Sequence, residues 1–166
     1  MTDLPVNALS ERVVAGILRD GDQVLLCHRH PERPWYPNVW DLPGGHVEPG
    51  EQPVEALVRE LFEELAVVVS CPEGAPYCEV TDGRVEMIVW LIDYDGPVMN
   101  AAPGEHDELR WFTREAIPTL ELAHPSYNEM LCSLPTDLGG RDSALDGGGQ
   151  REQRTDVEQH IGDFAG

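Results

Sequence analysis

The chain has 166 residues and a formal charge of −20, from 31 acidic side chains against 11 basic ones. That length is one domain's worth and can bury a substantial core. The charge argues against nucleic-acid polymers and anionic membranes as partners, because both reward basic patches. Cys27, Cys71, Cys78 and Cys132 lack C-x-x-C spacing, and no apolar stretch reaches signal or membrane length. Reduced thiols in a cytoplasmic protein are the simplest expectation; a Cys71–Cys78 link across a loop is open but unsupported. Nothing in the sequence sets an oligomeric state.

In chain order, residues 1–11 read as a flexible lead-in. Residues 12–18 (RVVAGIL) predict a strand, Asp20-Gly21-Asp22 a turn, and residues 23–29 (QVLLCHR) the hairpin partner. Residues 30–39 (HPERPWYPNV) hold three prolines and two aromatics and predict a loop. In Trp40-Asp41-Leu42-Pro43-Gly44-Gly45, the two glycines after a proline allow a tight turn and a close approach of backbone to a ligand or metal.

A helix follows. At the α-helical period Val54, Leu57, Val58, Leu61 and Leu65 share about 100° of arc, a stripe suited to packing on a sheet. Pro53 suits the first turn, where its missing N–H is not needed. Glu63, Glu60 and Glu64 fall at about 180°, 240° and 280° from Val54, off that stripe. Carboxylates at i, i+3 and i+4 repel each other and destabilise a bare helix. One reading is a solvated acidic face; the other is a seat for a hard divalent cation, for which oxygen-only ligands select Mg2+ or Mn2+ over Zn2+.

Farther on, residues 79–80 and 85–92 predict strands around Asp82-Gly83. Residues 109–112 predict a short strand, and residues 126–134 a last helix opened by Pro125. Past Pro135 apolar periodicity is lost, and residues 136–166 read as a disordered, acidic, Gly-rich tail. Strand pairs around a central helix with a second helix late point to an α+β layered fold. There is no internal repeat, and no G-x-x-x-x-G-K-[ST] run, which argues against a P-loop NTPase.

Glu51 precedes Arg59 by eight residues, and Arg59 adjoins Glu60. A guanidinium there can pair with a carboxylate in a fork geometry and fix its orientation. Together Gly45, Glu51, Arg59, Glu60, Leu61, Glu63, Glu64 and Val67 resemble the signature of the Nudix (MutT-like) hydrolases. The departure is Ala66, where the family usually has glycine. That position ends the helix, so a small change in helix exit is expected, with little effect on chemistry. The signature spans residues 45–67, and a weaker likeness extends over about residues 12–134.

The resemblance implies a mixed β-sheet sandwiched between helices (α/β/α) over residues 12–135. It also implies Mg2+-dependent cleavage, with Mn2+ able to substitute, of the pyrophosphate linkage in a nucleoside diphosphate joined to another moiety. Such a substrate is compatible with the acidic chain, because its phosphates can arrive already complexed with Mg2+. Its negative charges repel an attacking hydroxide; Mg2+ on the phosphate oxygens would neutralise them, lower the pKa of a bound water and orient it. By resemblance, Glu60, Glu63 and Glu64 are metal ligands, joined by the Gly45 carbonyl, and Glu51 and Arg59 hold those ligands in place. Glu105, six residues before Trp111, resembles the loop glutamate that completes the metal site in MutT-type members; the alternative is an ordinary loop acid beside Asp107 and Glu108. The general base is Glu60 or Glu105.

Substrate contacts are less legible. Arg29 resembles a phosphate-contacting arginine, with a plain salt bridge as the alternative. Trp35 and Tyr36 could stack on a base or pack onto the core. Trp40 is expected in the core. His124 falls where MutT-type enzymes place a base-reading asparagine, which weakens an 8-oxo-dGTP sanitising role. The other histidines, His46 among them, read as surface residues. The proline that marks ADP-ribose hydrolases and the tyrosine of dinucleoside polyphosphate hydrolases are both missing near Asp82. That favours a (deoxy)nucleoside triphosphate, cut to the monophosphate and pyrophosphate. A hydrolase of ADP-ribose or a nucleotide sugar is the alternative. A catalytically silent nucleotide-binding sensor is the alternative of another class, although no signature glutamate is lost.

Overall fold

The first strand, β1 (Glu11–Asp20), has a nearly unbroken apolar middle because both of its faces are covered. Val14 and Leu18 point to one side with Leu25, Cys27, Ile88 and Trp90. Ala15 and Ile17 point to the other with Val24, Leu26, Met87 and Val89. A strand with one wet face alternates apolar and polar residues; one buried on both faces reads as a continuous apolar run. The computed structural model describes residues 11–136. Glu11, assigned to the lead-in from sequence, is the first residue of β1. The expected lead-in over residues 1–10 and the tail over residues 137–166 lie outside the described residues.

The described chain forms a seven-stranded mixed sheet. β1 and β2 (Gln23–Arg29) pair antiparallel only at their hairpin end, where Arg19 faces Val24 and Asp20 faces Gln23. Beyond that the two strands part, and residues 40–46 fill the gap. β3 (Trp40–Asp41) pairs with Cys27 and His28 of β2, and β4 (Gly44–His46) pairs with Val13, Val14 and Ala15 of β1. The Gly16 N–H donates to the Pro43 carbonyl at 2.9 Å between them. The Gly-rich segment is thereby bolted to both central strands. β5 (Cys78–Asp82) and β6 (Val85–Asp93) form a hairpin, with β6 parallel to β1 over Glu11 to Arg19. β7 (His106–Thr113) lies antiparallel to β2.

Helix α1 (Pro53–Leu65) covers one face of the sheet and buries Ala56, Leu57, Leu61, Glu64 and Leu65. Each fully buried leucine contributes about 1.5–3 kcal/mol. Gly16 lets the helix lie close: a Cβ there would stand 3.2 Å from Leu61 Cδ2 and 3.3 Å from Leu57 Cδ1. At the start of α1, Pro53 takes the first helical position and the Gln52 N–H donates to Glu55 Oε2 at 3.2 Å. At its end Ala66 adopts the left-handed conformation, φ 53° and ψ 27°, and its N–H closes on the Phe62 carbonyl. On the other face, the 3-10 turn Ile117–Thr119 and α2 (Tyr127–Cys132) bury Ile117, Tyr127, Met130 and Leu131, with Leu134 beyond. The layering is therefore α/β/α, an α+β fold.

Several elements differ from the sequence expectation. β3 and β4 lie in a stretch read as loop, and α2 is shorter than residues 126–134. β7 begins three residues early, because polar His106, Asp107 and Glu108 still find strand partners at the end of β2. No helix among the described residues is long and apolar enough to cross a membrane. All four cysteines are free, so Cys71 and Cys78 are not joined.

Candidate active site

The site begins with the two glycines of β4. Gly44 has φ +150°, and a Cβ on it would overlap the Val14 carbonyl oxygen. A Cβ on Gly45 would stand 2.5 Å from Glu60 Oε1. Gly44 therefore excludes a side chain and Gly45 admits one only if Glu60 shifts, and the backbone of β4 comes directly against the acidic side of α1. There the Gly44 N–H donates to Glu64 Oε2 at 2.9 Å.

Glu64 was expected off the apolar stripe, and the structure buries it, with 4% of its surface exposed. At about 280° it lies only about 20° from Leu57, so the helix face that turns inward carries both. Burial pushes its carboxyl up to about 9 despite the Gly44 hydrogen bond, and the charges of Glu60, Glu105 and Asp41 push the same way. Burial raises Glu60 too, against the pull of the Arg59 guanidinium.

Arg59 ties this wall together. Its Nε and Nη2 grip the two Glu51 carboxylate oxygens at 2.9 and 3.0 Å. Nη1 donates to Glu60 Oε1 at 2.8 Å and Glu63 Oε2 at 3.2 Å, and Nη2 donates to the His46 carbonyl at 3.0 Å. The fork holds Glu51 below the usual carboxylate range and Arg59 above its own. Glu63 differs from its two neighbours: its side chain is 57% exposed and it does not line the cleft.

Above this wall lies a cleft of about 740 Å³, floored by Val13, Ala15 and Met87 of β1 and β6. Glu60, Glu64, Gly45 and Glu105 line it together with Arg29, Arg59, Trp35 and Tyr36. Arg29 makes a salt bridge with Asp41 Oδ2 at 3.0 Å. It also donates to the Tyr36 carbonyl at 2.9 Å and the Trp35 carbonyl at 2.8 Å. Arg29 thus shapes the 30–39 loop, in which Tyr36 and Asn38 both have positive φ. Trp35 and Tyr36 do not pack onto the core; they are 74% and 66% exposed at the rim. His124 lies outside the cleft, bonding Ser126 Oγ at 2.6 Å and facing Asp82 at 3.6 Å. His46 is exposed at the cleft edge, as expected of a surface residue.

Four cleft residues escaped the sequence reading. Asp41 accepts from Tyr127 Oη at 3.0 Å as well as from Arg29, and its burial raises it above an ordinary aspartate. Arg33 faces Glu105 at 3.7 Å. His106 corrects the expectation that the remaining histidines are surface residues: it is 3% exposed at the start of β7, where it pairs with Arg29. Burial first, then Arg29 and Arg33, lowers its imidazole to about 4. Of these four, only Asp41 carried a signal, its place in the segment leading to the glycines.

The donor chemistry fits a hard divalent cation. Every candidate ligand is an oxygen, and Glu64 is a buried carboxyl whose one hydrogen-bond donor is a neutral amide. Among the described residues no three His, Cys, Asp or Glu side chains are grouped ready to hold an ion. Arg59 is hydrogen-bonded to both Glu60 and Glu63.

A family model for the NUDIX domain matches residues 9–134. The chain is 30% identical over 122 residues to the nucleoside triphosphatase NudI of Enterobacter sp. (strain 638), over 66% of this chain and 86% of that one. It is 33% identical over 106 residues to the CTP pyrophosphohydrolase of Escherichia coli (strain K12), over 62% of this chain and 76% of that one. The crystal structure of a MutT protein from Methanosarcina mazei Go1 matches with a TM-score of 0.63 and 26% identity, over 73% of this chain and 89% of that one. Members of the family generally use divalent metal ions. Since the matched span contains every strand and helix described above, the chain belongs to the Nudix (MutT-like) hydrolase family and is a pyrophosphohydrolase.

Proposed function

We propose that residues 12–135 form a Mg2+-dependent domain that cuts a (deoxy)nucleoside triphosphate to the monophosphate and pyrophosphate. The observation that carries the reading is the buried Glu64 carboxyl beside Glu60, pressed against the two glycines on the wall of a cleft large enough for a nucleotide. Two relatives named for nucleoside triphosphates and CTP support the substrate class. Four free cysteines suit a reducing, cytoplasmic setting.

In this reading Glu60, Glu64 and the Gly45 carbonyl hold the ion, and Glu63 joins them by leaving Arg59. Bound Mg2+ supplies charge neutralisation on the phosphates and acidifies a water. The chain's own residues do the rest. The Glu51–Arg59 fork fixes Glu60 against the helix. Glu60 and Glu105 are the two carboxylates placed to accept the proton of the attacking water. Trp35 and Tyr36 offer exposed aromatic faces at the rim for the base, and Arg29 holds the loop that carries them.

The test is a phosphate-release assay over a panel of nucleotides with and without Mg2+. Glu64→Gln and Glu63→Gln should each lower kcat by orders of magnitude while the protein stays folded, because each removes a charged ligand. Near-wild-type turnover in Glu64→Gln at saturating Mg2+ refutes the assignment. The pH profiles of Glu60→Gln and Glu105→Gln separate the two candidate bases: the variant that loses the acidic limb has lost the base.

A further inference from the structure

Three arginines line the cleft, and two of them have their donors engaged by protein: Arg29 by Asp41, Trp35 and Tyr36, and Arg59 by Glu51, Glu60, Glu63 and His46. Arg33 is different. Among the described residues its side chain makes no hydrogen bond; its Nε is buried without a partner, and its ion pair with Glu105 is loose at 3.7 Å. The neighbouring His106 imidazole repeats the pattern, since it is 3% exposed and its Nδ1 is also buried without a partner. Both residues line the cleft. The placement is built, not accidental: the His30 N–H donates to the Glu105 carbonyl at 2.8 Å, and the Arg33 N–H donates to the His30 carbonyl at 3.0 Å. The first bond stitches the 30–39 loop to the 105–106 segment, and the second holds Arg33 in a turn of that loop.

A buried donor without a partner, as at Arg33 Nε, is rare and unfavourable, and an acceptor brought by a ligand relieves it. A guanidinium presents a planar fork of donors that matches the oxygens of a phosphate. We propose that Arg33, with His106 beside it, seats a phosphate of the substrate chain, and that phosphate oxygens displace Glu105 from the guanidinium. The seat then couples binding to chemistry. Without substrate, Glu105 faces Arg33; with a phosphate seated, its carboxylate is released into the cleft. The inference deepens the proposed triphosphate reaction and rests on it for the role of Glu105, but the seat itself is a binding site that can be measured alone.

The experiment compares the wild-type chain with Arg33→Met and Arg33→Lys. Inorganic pyrophosphate is titrated calorimetrically in Mg2+, and kcat and KM are measured for whichever nucleoside triphosphate the wild type turns over. The expected result is that Arg33→Met raises the pyrophosphate Kd and the KM together by tenfold or more. Its Tm stays close to wild type, and Arg33→Lys, a point charge without the fork, recovers only part of the affinity. Unchanged Kd and KM in Arg33→Met, a fall in kcat alone, or no pyrophosphate binding by the wild type would each overturn the seat. The two readings fail separately. A wild type that turns over no nucleotide but whose pyrophosphate affinity drops in Arg33→Met keeps the seat and loses the reaction; nucleotide turnover with an unaltered pyrophosphate Kd does the reverse.

Discussion

The Gly44 N–H donates to Glu64 Oε2 at 2.9 Å across twenty residues of chain, so β4 and α1 meet at a buried carboxyl. One amide does not offset the loss of water around it, and Glu64 is pushed from 4.5 up to about 9. Between those values the folded protein holds a proton that the unfolded chain has lost. The folded state binds more protons there, so stability falls as pH rises through the window. In chelator, denaturant midpoints should decline from the lower end of that window to the upper, and Glu64→Gln should flatten the decline. Mg2+ should restore stability near neutral pH and release protons as it binds, read as a buffer-dependent heat. An equal slope in Glu64→Gln and wild type would remove Glu64 as its source.

The two glycines should respond differently to the same added methyl group. At Gly44 the new Cβ meets backbone, the Val14 carbonyl, with φ at +150°. Neither can yield, and Gly44→Ala should cost roughly 3 kcal/mol or more. At Gly45 the Cβ meets the end of the Glu60 side chain at 2.5 Å, and a carboxylate can swing aside. Gly45→Ala should therefore keep most of its stability and lose activity, by roughly tenfold or more in kcat, since about 1.4 kcal/mol of misplacement is a factor of ten. Thermal melts beside initial rates test the contrast. Equal loss of stability in both variants would contradict it.

The part of this site that was legible from sequence is the part that lies on one stretch of chain. Glu51, Arg59, Glu60, Glu63 and Glu64 sit within one loop and one helix, where spacing alone fixes which groups can meet. Even the burial of Glu64 is latent in its angle, about 20° from Leu57. The illegible part depends on distant pairings. β3 and β4 have two and three residues, too few for periodicity, and exist because β1 and β2 part. Arg33 faces Glu105 where the 30–39 loop meets the 105–106 segment, the His30 N–H donating to the Glu105 carbonyl. Tyr127 reaches Asp41 from the opposite layer of the fold. No local pattern marks such residues.

Ala66 holds a backbone conformation that favours glycine, at φ 53°. A Cβ in the left-handed region costs roughly 1–2 kcal/mol, and glycine gives part of that back through the greater freedom of its unfolded chain. Ala66→Gly should stabilise by roughly 1 kcal/mol and raise Tm by a few degrees. Ala66 does not line the cleft, so kcat and KM should stay at wild-type values. Calorimetry together with steady-state kinetics checks both halves, and a Tm below wild type would show that the helix exit is set by something other than φ.

Arg29 and Asp41 form the most enclosed ion pair on the cleft, each with 17% of its side chain exposed. Removing one member of such a pair leaves an uncompensated charge indoors, at a cost of roughly 3–5 kcal/mol. Arg29→Met should approach that figure, because Asp41 would keep only the Tyr127 hydroxyl and its own neighbouring Leu42 amide. It should also free the Trp35 and Tyr36 carbonyls, so that chymotrypsin cuts the 30–39 loop faster after the exposed Trp35. Asp41→Asn alone leaves Arg29 buried but still bonded to those two carbonyls, and should cost less. The double variant Arg29→Met/Asp41→Asn should be more stable than the sum of the singles, because it leaves no buried charge unpaired. Additive losses in that cycle would mean that the loop, rather than the ion pair, carries the energy.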